Sequence, residues 1–187
     1  MDRTRRSTLA AGAALAGAVM LRAGAASAAS ARQIDRDADR ALAALYAAQP
    51  KTRELAARAK AILVFPKIVK AGLLIGGQSG DGALRVKGRT TAYYNLSAAS
   101  FGLQAGAQTF SYALFFMTDS ALDYLSRSDG WAVGSGPSVV VMDKGAAASL
   151  SSTTLSQDVY AFPFGQQGLM GGLGLEGSKI TRIRPAP

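Results

Sequence analysis

Five basic side chains, Arg53, Arg58, Lys60, Lys67 and Lys70, fall within eighteen consecutive residues and are the strongest chemical signal in the chain. Ammonium and guanidinium groups attract anions. Near an acidic surface each contributes at most about 1 kcal/mol, so four or five together suit salt-sensitive binding to an anionic partner such as a lipid surface or a nucleic acid. Lys67 and Lys70 follow Pro66 and read as a loop between two buried strands.

Other chemistries are closed off by composition. The chain has no cysteine and no histidine, so disulfides, thiolate sites, His-based triads and imidazole metal ligands are excluded. No G-x-S-x-G elbow and no S-x-x-K motif occurs. Asp119, Asp123, Asp129, Asp143 and Asp158 are spread without the spacing of a paired-carboxylate site, and no oxygen-rich loop marks a calcium site. The expectation is a protein that is not an enzyme, with no cofactor and no metal.

Two glycine-rich stretches imitate nucleotide sites. Gly76 to Gly82 lacks the Gly-Lys-Ser/Thr ending of a phosphate-binding loop, and Asp81 would repel phosphate. Ser79-Gly80-Asp81-Gly82 reads instead as a hairpin turn. Gly172 to Gly177 matches G-x-G-x-x-G, but ten residues after it leave no room for the helix and strand of a dinucleotide fold.

The basic groups need a scaffold, and the first 28 residues are not part of it. Arg3, Arg5 and Arg6 precede a mild apolar run from Leu9 to Leu21, and Ala26-Ser27-Ala28 is a cleavage signal. Arg5-Arg6 resembles a twin-arginine export signal. The expected organisation is a signal peptide over 1–28 and a single domain over 29–187, periplasmic or secreted. Cleavage removes four basic residues and one acid, lowering the formal charge from +9 to +6. A basic exported chain meets membrane lipid rather than nucleic acid.

Ile34, Ala38, Leu42 and Leu45 recur at helical spacing, and Pro50 ends that helix. Asp35, Asp37 and Asp39 are placed to complement its dipole. Thr52 is placed to cap a second helix through Ala59. Ile62-Leu63-Val64-Phe65 and Gly72 to Gly77 read as buried strands, followed by Ala83–Lys87 and Thr90–Leu96. Ala105 to Phe116 reads as a long strand or a pair of strands, Thr118 caps a short helix over 118–126, and Val139–Met142 and Val159–Phe164 are strands, the last broken by Pro163 and Gly165. Lys179, Arg182 and Arg184, interleaved with Ile180 and Ile183, read as a solvated edge strand.

These segments resemble the SYLF domain family. The likeness runs through Ala61-Ile62-Leu63-Val64-Phe65-Pro66, Lys70-Ala71-Gly72, Gly102 to Gln108, Ala113 to Met117, Gly134-Ser135-Gly136-Pro137, Tyr160, Gly168 to Gly172 and Leu175-Glu176-Gly177, across roughly residues 35–183. Where the family usually carries a Trp-Ser-Pro-like stretch, Ala92 to Leu96 stands here. The resemblance implies a lipid-binding and actin-binding module of the kind found in endocytic adaptors and, alone, in bacterial exported proteins. It implies anionic phospholipid or a membrane surface as partner, with an envelope protein as the alternative. The expected fold is α+β, with N-terminal helices packed on a largely antiparallel, strongly curved β-sheet or barrel.

Overall fold

The computed structural model describes residues 29–72, 75–101, 106–142, 156–168, 175 and 177–187. Residues 1–28, where a leader is expected, and Asp143 lie outside them. Helix α1 (Ala31–Ala48) and helix α2 (Lys51–Arg58) precede strands β1 (Ala61–Gly72), β2 (Ile75–Val86), β3 (Arg89–Phe101) and β4 (Gly106–Phe116). Helix α3 (Asp119–Arg127) and strands β5 (Trp131–Ala132), β6 (Val139–Val141), β7 (Val159–Gly168) and β8 (Lys179–Ile183) follow. The sheet order is β5-β8-β3-β2-β1-β4-β7-β6. Every pairing is antiparallel except β6 with β7. The α+β expectation is borne out, with the sheet rolled into a half-barrel.

The curl follows from connectivity. Strands β5 and β6 end opposite edges of the sheet, yet residues 133–138 alone join them. Seven strand spacings in a flat sheet would separate them by about 34 Å, whereas that connection reaches about 24 Å when fully extended. The sheet therefore bends its edges toward each other. Bulges supply the bend. Strand β1 carries one extra residue at Pro66-Lys67 relative to both neighbours. Pro66 has no N–H to offer a ladder, so the bulge is where it is tolerated, and its carbonyl accepts from Ser111 Oγ at 2.7 Å.

Both faces of the central strands are covered. Leu63, Phe65, Phe110, Tyr112, Leu114, Phe116, Trp131 and Ile180 fill the concave side, joined by Ala121 and Leu125 of α3. Alternate residues Val64, Ala83, Ala113, Phe115 and Phe162 lie on the convex side under Ile34, Ala38, Leu45 and Leu55 of α1 and α2. The expected helical stripe holds, although Leu42 is only partly buried. Ser30 caps α1 through Gln33 N at 3.3 Å. The N–H of Ala31 donates to the carbonyl of Ala186 at 2.7 Å, so the start of α1 meets the end of the last strand's extension.

Several local expectations are corrected. Ser79 to Gly82 is not a turn but the middle of β2, paired with Leu96, Asn95 and their neighbours on β3. A Cβ on Gly80 would sit 2.4 Å from the Lys67 carbonyl oxygen, and one on Gly82 would sit 2.5 Å from that of Val64. These glycines admit the bulged β1 rather than reverse the chain. The β2–β3 reversal is Lys87-Gly88, at φ 49° and 76°, the left-handed pair of a two-residue hairpin. Thr52 lies inside α2 and donates to Gln49 O at 2.6 Å, so it is not the cap. Strand β7 runs through Pro163 and Gly165 to Gly168, with a bulge at Gly165, φ 63°. Asp35, Asp37 and Asp39 lie beyond the first turn of α1 and bind side chains instead.

Candidate functional site

The structure divides the five predicted basic residues between two ends of β1. Arg53 and Arg58 are on α2, and Lys60 immediately precedes β1. Lys67 and Lys70 are in the far half of the same strand, so Lys60 and Lys70 stand about 30 Å apart at roughly 3.3 Å per residue. Lys67 and Lys70 are therefore strand residues at and beyond a bulge, not loop residues as the proline suggested.

The α2 group is partly engaged. Lys60 Nζ is 3.0 Å from Asp119 Oδ2, an ion pair between two solvent-facing groups. The Arg53 guanidinium lies over the Tyr46 ring, 5.3 Å from its centre. Burial raises the Tyr46 hydroxyl pKa, with Arg53 working against it. Arg58 and Lys67 are exposed, and among the described residues neither has a carboxylate within ion-pair reach.

Around Lys67 and Lys70 the sheet ends in a distinctive way. Gly72 is opposite both Gly76 and Gly106, Ile75 is opposite Phe101, and Gln108 is opposite Gly168. The ends of five strands thus share one rim. Val69 and Ser79 are cross-strand neighbours, and Ile75 lies four residues before Ser79 on β2, so Val69 and Ile75 share the convex face. They are 45% and 70% exposed, the most accessible large apolar side chains on that face among the described residues.

The concave face of this rim is polar. Lys70 is the direct neighbour of Gln78 on β2 and of Gln108 on β4, so the three side chains form one rung on a common face. Gln78 and Gln108 are 8% and 2% exposed. Gln78 Nε2 donates to the buried Ser178 Oγ at 3.2 Å, and Gln166 Nε2 donates to Gln108 Oε1 at 3.3 Å. Gln108 Nε2 is buried without a partner, as is the Tyr112 hydroxyl deeper on the same strand. Burial drives the Tyr112 pKa upward. Sequence reading passed over this rung, because glutamines in a strand carry no motif. The signal was available only as period-2 spacing of polar residues flanking apolar ones at 108, 110 and 112.

Three of the five carboxylates considered as catalytic candidates, Asp119, Asp123 and Asp158, have other partners, as does Asp81. Asp119 binds Lys60 and Asp123 binds Arg127 at 3.0 Å. Asp158 accepts from Ser138 N, Ser138 Oγ and Thr118 Oγ1 at 3.0, 2.9 and 3.1 Å, which lowers its pKa. Asp81 accepts from Asn95 at 2.8 Å. Among the described residues no group of three or more His, Cys, Asp or Glu stands close enough to hold a metal ion, and no helix is long and apolar enough to cross a membrane.

Residues 97–185 match the family described as "Ysc84: Las17-binding protein actin regulator", and over that segment the SYLF resemblance is borne out. The match begins after Ala61–Pro66 and Lys70–Gly72, which join the matched segment through ten β1–β4 pairs from Ala61↔Phe116 to Gly72↔Gly106. No curated protein matches the chain.

Proposed function

We propose that this protein is a non-enzymatic lipid-binding module that associates with anionic phospholipid after export, in the periplasm or outside the cell. The observation that carries the reading is exposed Val69, two residues from exposed Lys67 on β1, with exposed Ile75 farther along the same convex face at the rim. Apolar side chains next to lysine suit the acyl–headgroup boundary of an acidic bilayer, where burial and charge attraction add. On this reading Lys67 and Lys70 lie at the membrane, while Arg53, Arg58 and Lys60 contribute long-range attraction only.

The test is co-sedimentation of the mature chain with phosphatidylglycerol vesicles at two salt concentrations. Retention at low salt that weakens at high salt is expected, and Ile75→Trp should show a blue-shifted emission on binding. Absence of retention at low salt overturns the reading.

A second reading is a protein-interaction module of the envelope. The matched family's description names protein binding and actin regulation; an exported chain would need a different partner. The cleft between the two sheet edges supports it, at about 670 Å³ and lined by Val133, Pro137, Val139, Val141 and Leu175. Loss of a co-purifying envelope protein on Val141→Asp would favour it over lipid binding.

A further inference from the structure

We infer that the protein carries a second, purely electrostatic membrane contact at its β2–β3 hairpin end, opposite the Val69–Ile75 rim, and so bridges one acidic lipid surface to another. Four cations meet at this end. Lys87 lies in the hairpin turn, and Arg89 follows as the partner of Val86. Arg184 comes directly after Ile183, the partner of Tyr93, which sets it level with Ala92 and about 10 Å along the sheet from Arg89. Arg32 follows Ala31, whose N–H donates to the Ala186 carbonyl at 2.7 Å. All four residues are exposed, and among the described residues none has a carboxylate within ion-pair reach. The acids of this end are engaged elsewhere. Asp39 is 2.8 Å from Arg85, Asp35 accepts from Thr90 and Tyr93, and Asp119 is 3.0 Å from Lys60.

Cations gathered within a screening length, about 10 Å at 0.1 M salt, add their fields and repel one another. An extended anionic surface relieves that repulsion. The two ends of the sheet differ in kind. The rim offers Val69 and Ile75 for insertion, whereas the exposed large apolar side chains among the described residues include none at the hairpin end. That end adheres by charge alone, so salt should release it before the rim. Ile75 and Lys87 are twelve residues apart along β2 and its turn, which is about 40 Å of extended chain. With the strands standing on one bilayer through the rim, the hairpin end lies several screening lengths from it and faces a second surface. The choice of lipid as partner rests on the lipid reading; the cationic end itself rests on the placement of Lys87, Arg89, Arg184 and Arg32.

The experiment follows clustering of phosphatidylglycerol vesicles by turbidity, with co-sedimentation in parallel, for the mature chain and two double variants. Arg89→Gln/Arg184→Gln alters the hairpin end, and Arg40→Gln/Arg127→Gln removes the same charge from exposed sites on α1 and α3. At low salt the wild type and the Arg40/Arg127 variant should cluster vesicles. The Arg89/Arg184 variant should stay bound yet need about tenfold more protein to cluster them. Raising the salt should disperse clusters before it releases protein. Arg184→Gln alone, beyond the last strand pair, should shift clustering in the same direction by less, and it keeps the test open should the double variant melt early. Retention without clustering by the wild type overturns the bridge and leaves the lipid reading standing. Equal clustering by both double variants overturns the assignment to the hairpin end. Absence of wild-type retention overturns the lipid reading and the bridge together. Capture on immobilised poly-glutamate that only the Arg89/Arg184 variant loses would then make an acidic polypeptide the partner of the cationic end.

Discussion

Arg85 on β2 reaches α1 with one guanidinium nitrogen 2.8 Å from a carboxylate oxygen of Asp39 and 3.0 Å from the backbone carbonyl of Asp35. Asp35 also accepts from Thr90 at 2.7 Å and from the Tyr93 hydroxyl at 3.0 Å. This polar clamp fastens the first helix to the convex face beside the small apolar cluster of Ile34, Ala38, Val64 and Ala83. Arg85→Met should destabilise the fold, but a double-mutant cycle with Asp39→Asn should give a coupling of only about 0.5–1 kcal/mol. The reason is solvent: the Asp39 side chain is 65% exposed. Urea unfolding of the four proteins checks this, and zero coupling would assign Arg85 to packing alone.

The glycines of β2 separate by environment. Gly82→Ala places a methyl 2.5 Å from the Val64 oxygen and 2.6 Å from the Phe65 ring, so it should cost about 1–3 kcal/mol or more. Gly77→Ala meets only the Ala98 oxygen at 3.5 Å and should stabilise by about 0.5 kcal/mol through reduced backbone entropy. Denaturant midpoints for the pair test whether β1 and β2 approach as closely as described.

Asp158 links the start of α3 to the start of β6. The Ser138 backbone N–H, then the Ser138 and Thr118 hydroxyls, favour its ionised form and outweigh desolvation, holding the pKa below 3.8. A depressed folded pKa means stability that is present above the unfolded value and lost as pH falls through the folded one. Asp158→Asn should therefore melt below the wild type at neutral pH, and the gap should close as pH drops below about 4. Melting temperatures from pH 6 to 2 would show it; a gap independent of pH would refute the assignment.

Trp131 offers an intrinsic probe. It is 1% exposed, lies 6.0 Å from the Phe116 ring, and donates through Nε1 to Ser135 O at 2.8 Å. Its emission should be blue-shifted and resist acrylamide quenching. Vesicle binding through the Ile75 rim should leave that emission unchanged, whereas a red shift on binding would mean that the half-barrel opens.

The runs Ile62–Phe65, Ala113–Phe116 and Val159–Phe162 disclosed their strands because both sheet faces are covered, so every successive side chain is apolar. Thr118 was legible as a cap for a related reason: its bond to Ala121 N at 3.3 Å spans three residues. What stayed hidden depends on distant partners. Glycines at 80 and 82 look like a turn until β1 is known to bulge against them. Asp35 and Asp39 look like dipole complements until Arg85, some fifty residues away, is folded beside them. The basic cluster was compact in sequence, but an extended strand carried its members apart. The Gln78–Gln108 rung was scattered in sequence and assembled by register.

The hydrogen bond from Ala31 to Ala186 closes the described chain almost into a ring. The two ends of the described domain, near Ala31 and Ala186, therefore share one patch of surface. Those ends could be spliced by a short linker and the chain reopened at the exposed Lys87-Gly88 reversal without disturbing the strand order, a permutation to which folds with adjacent termini are suited.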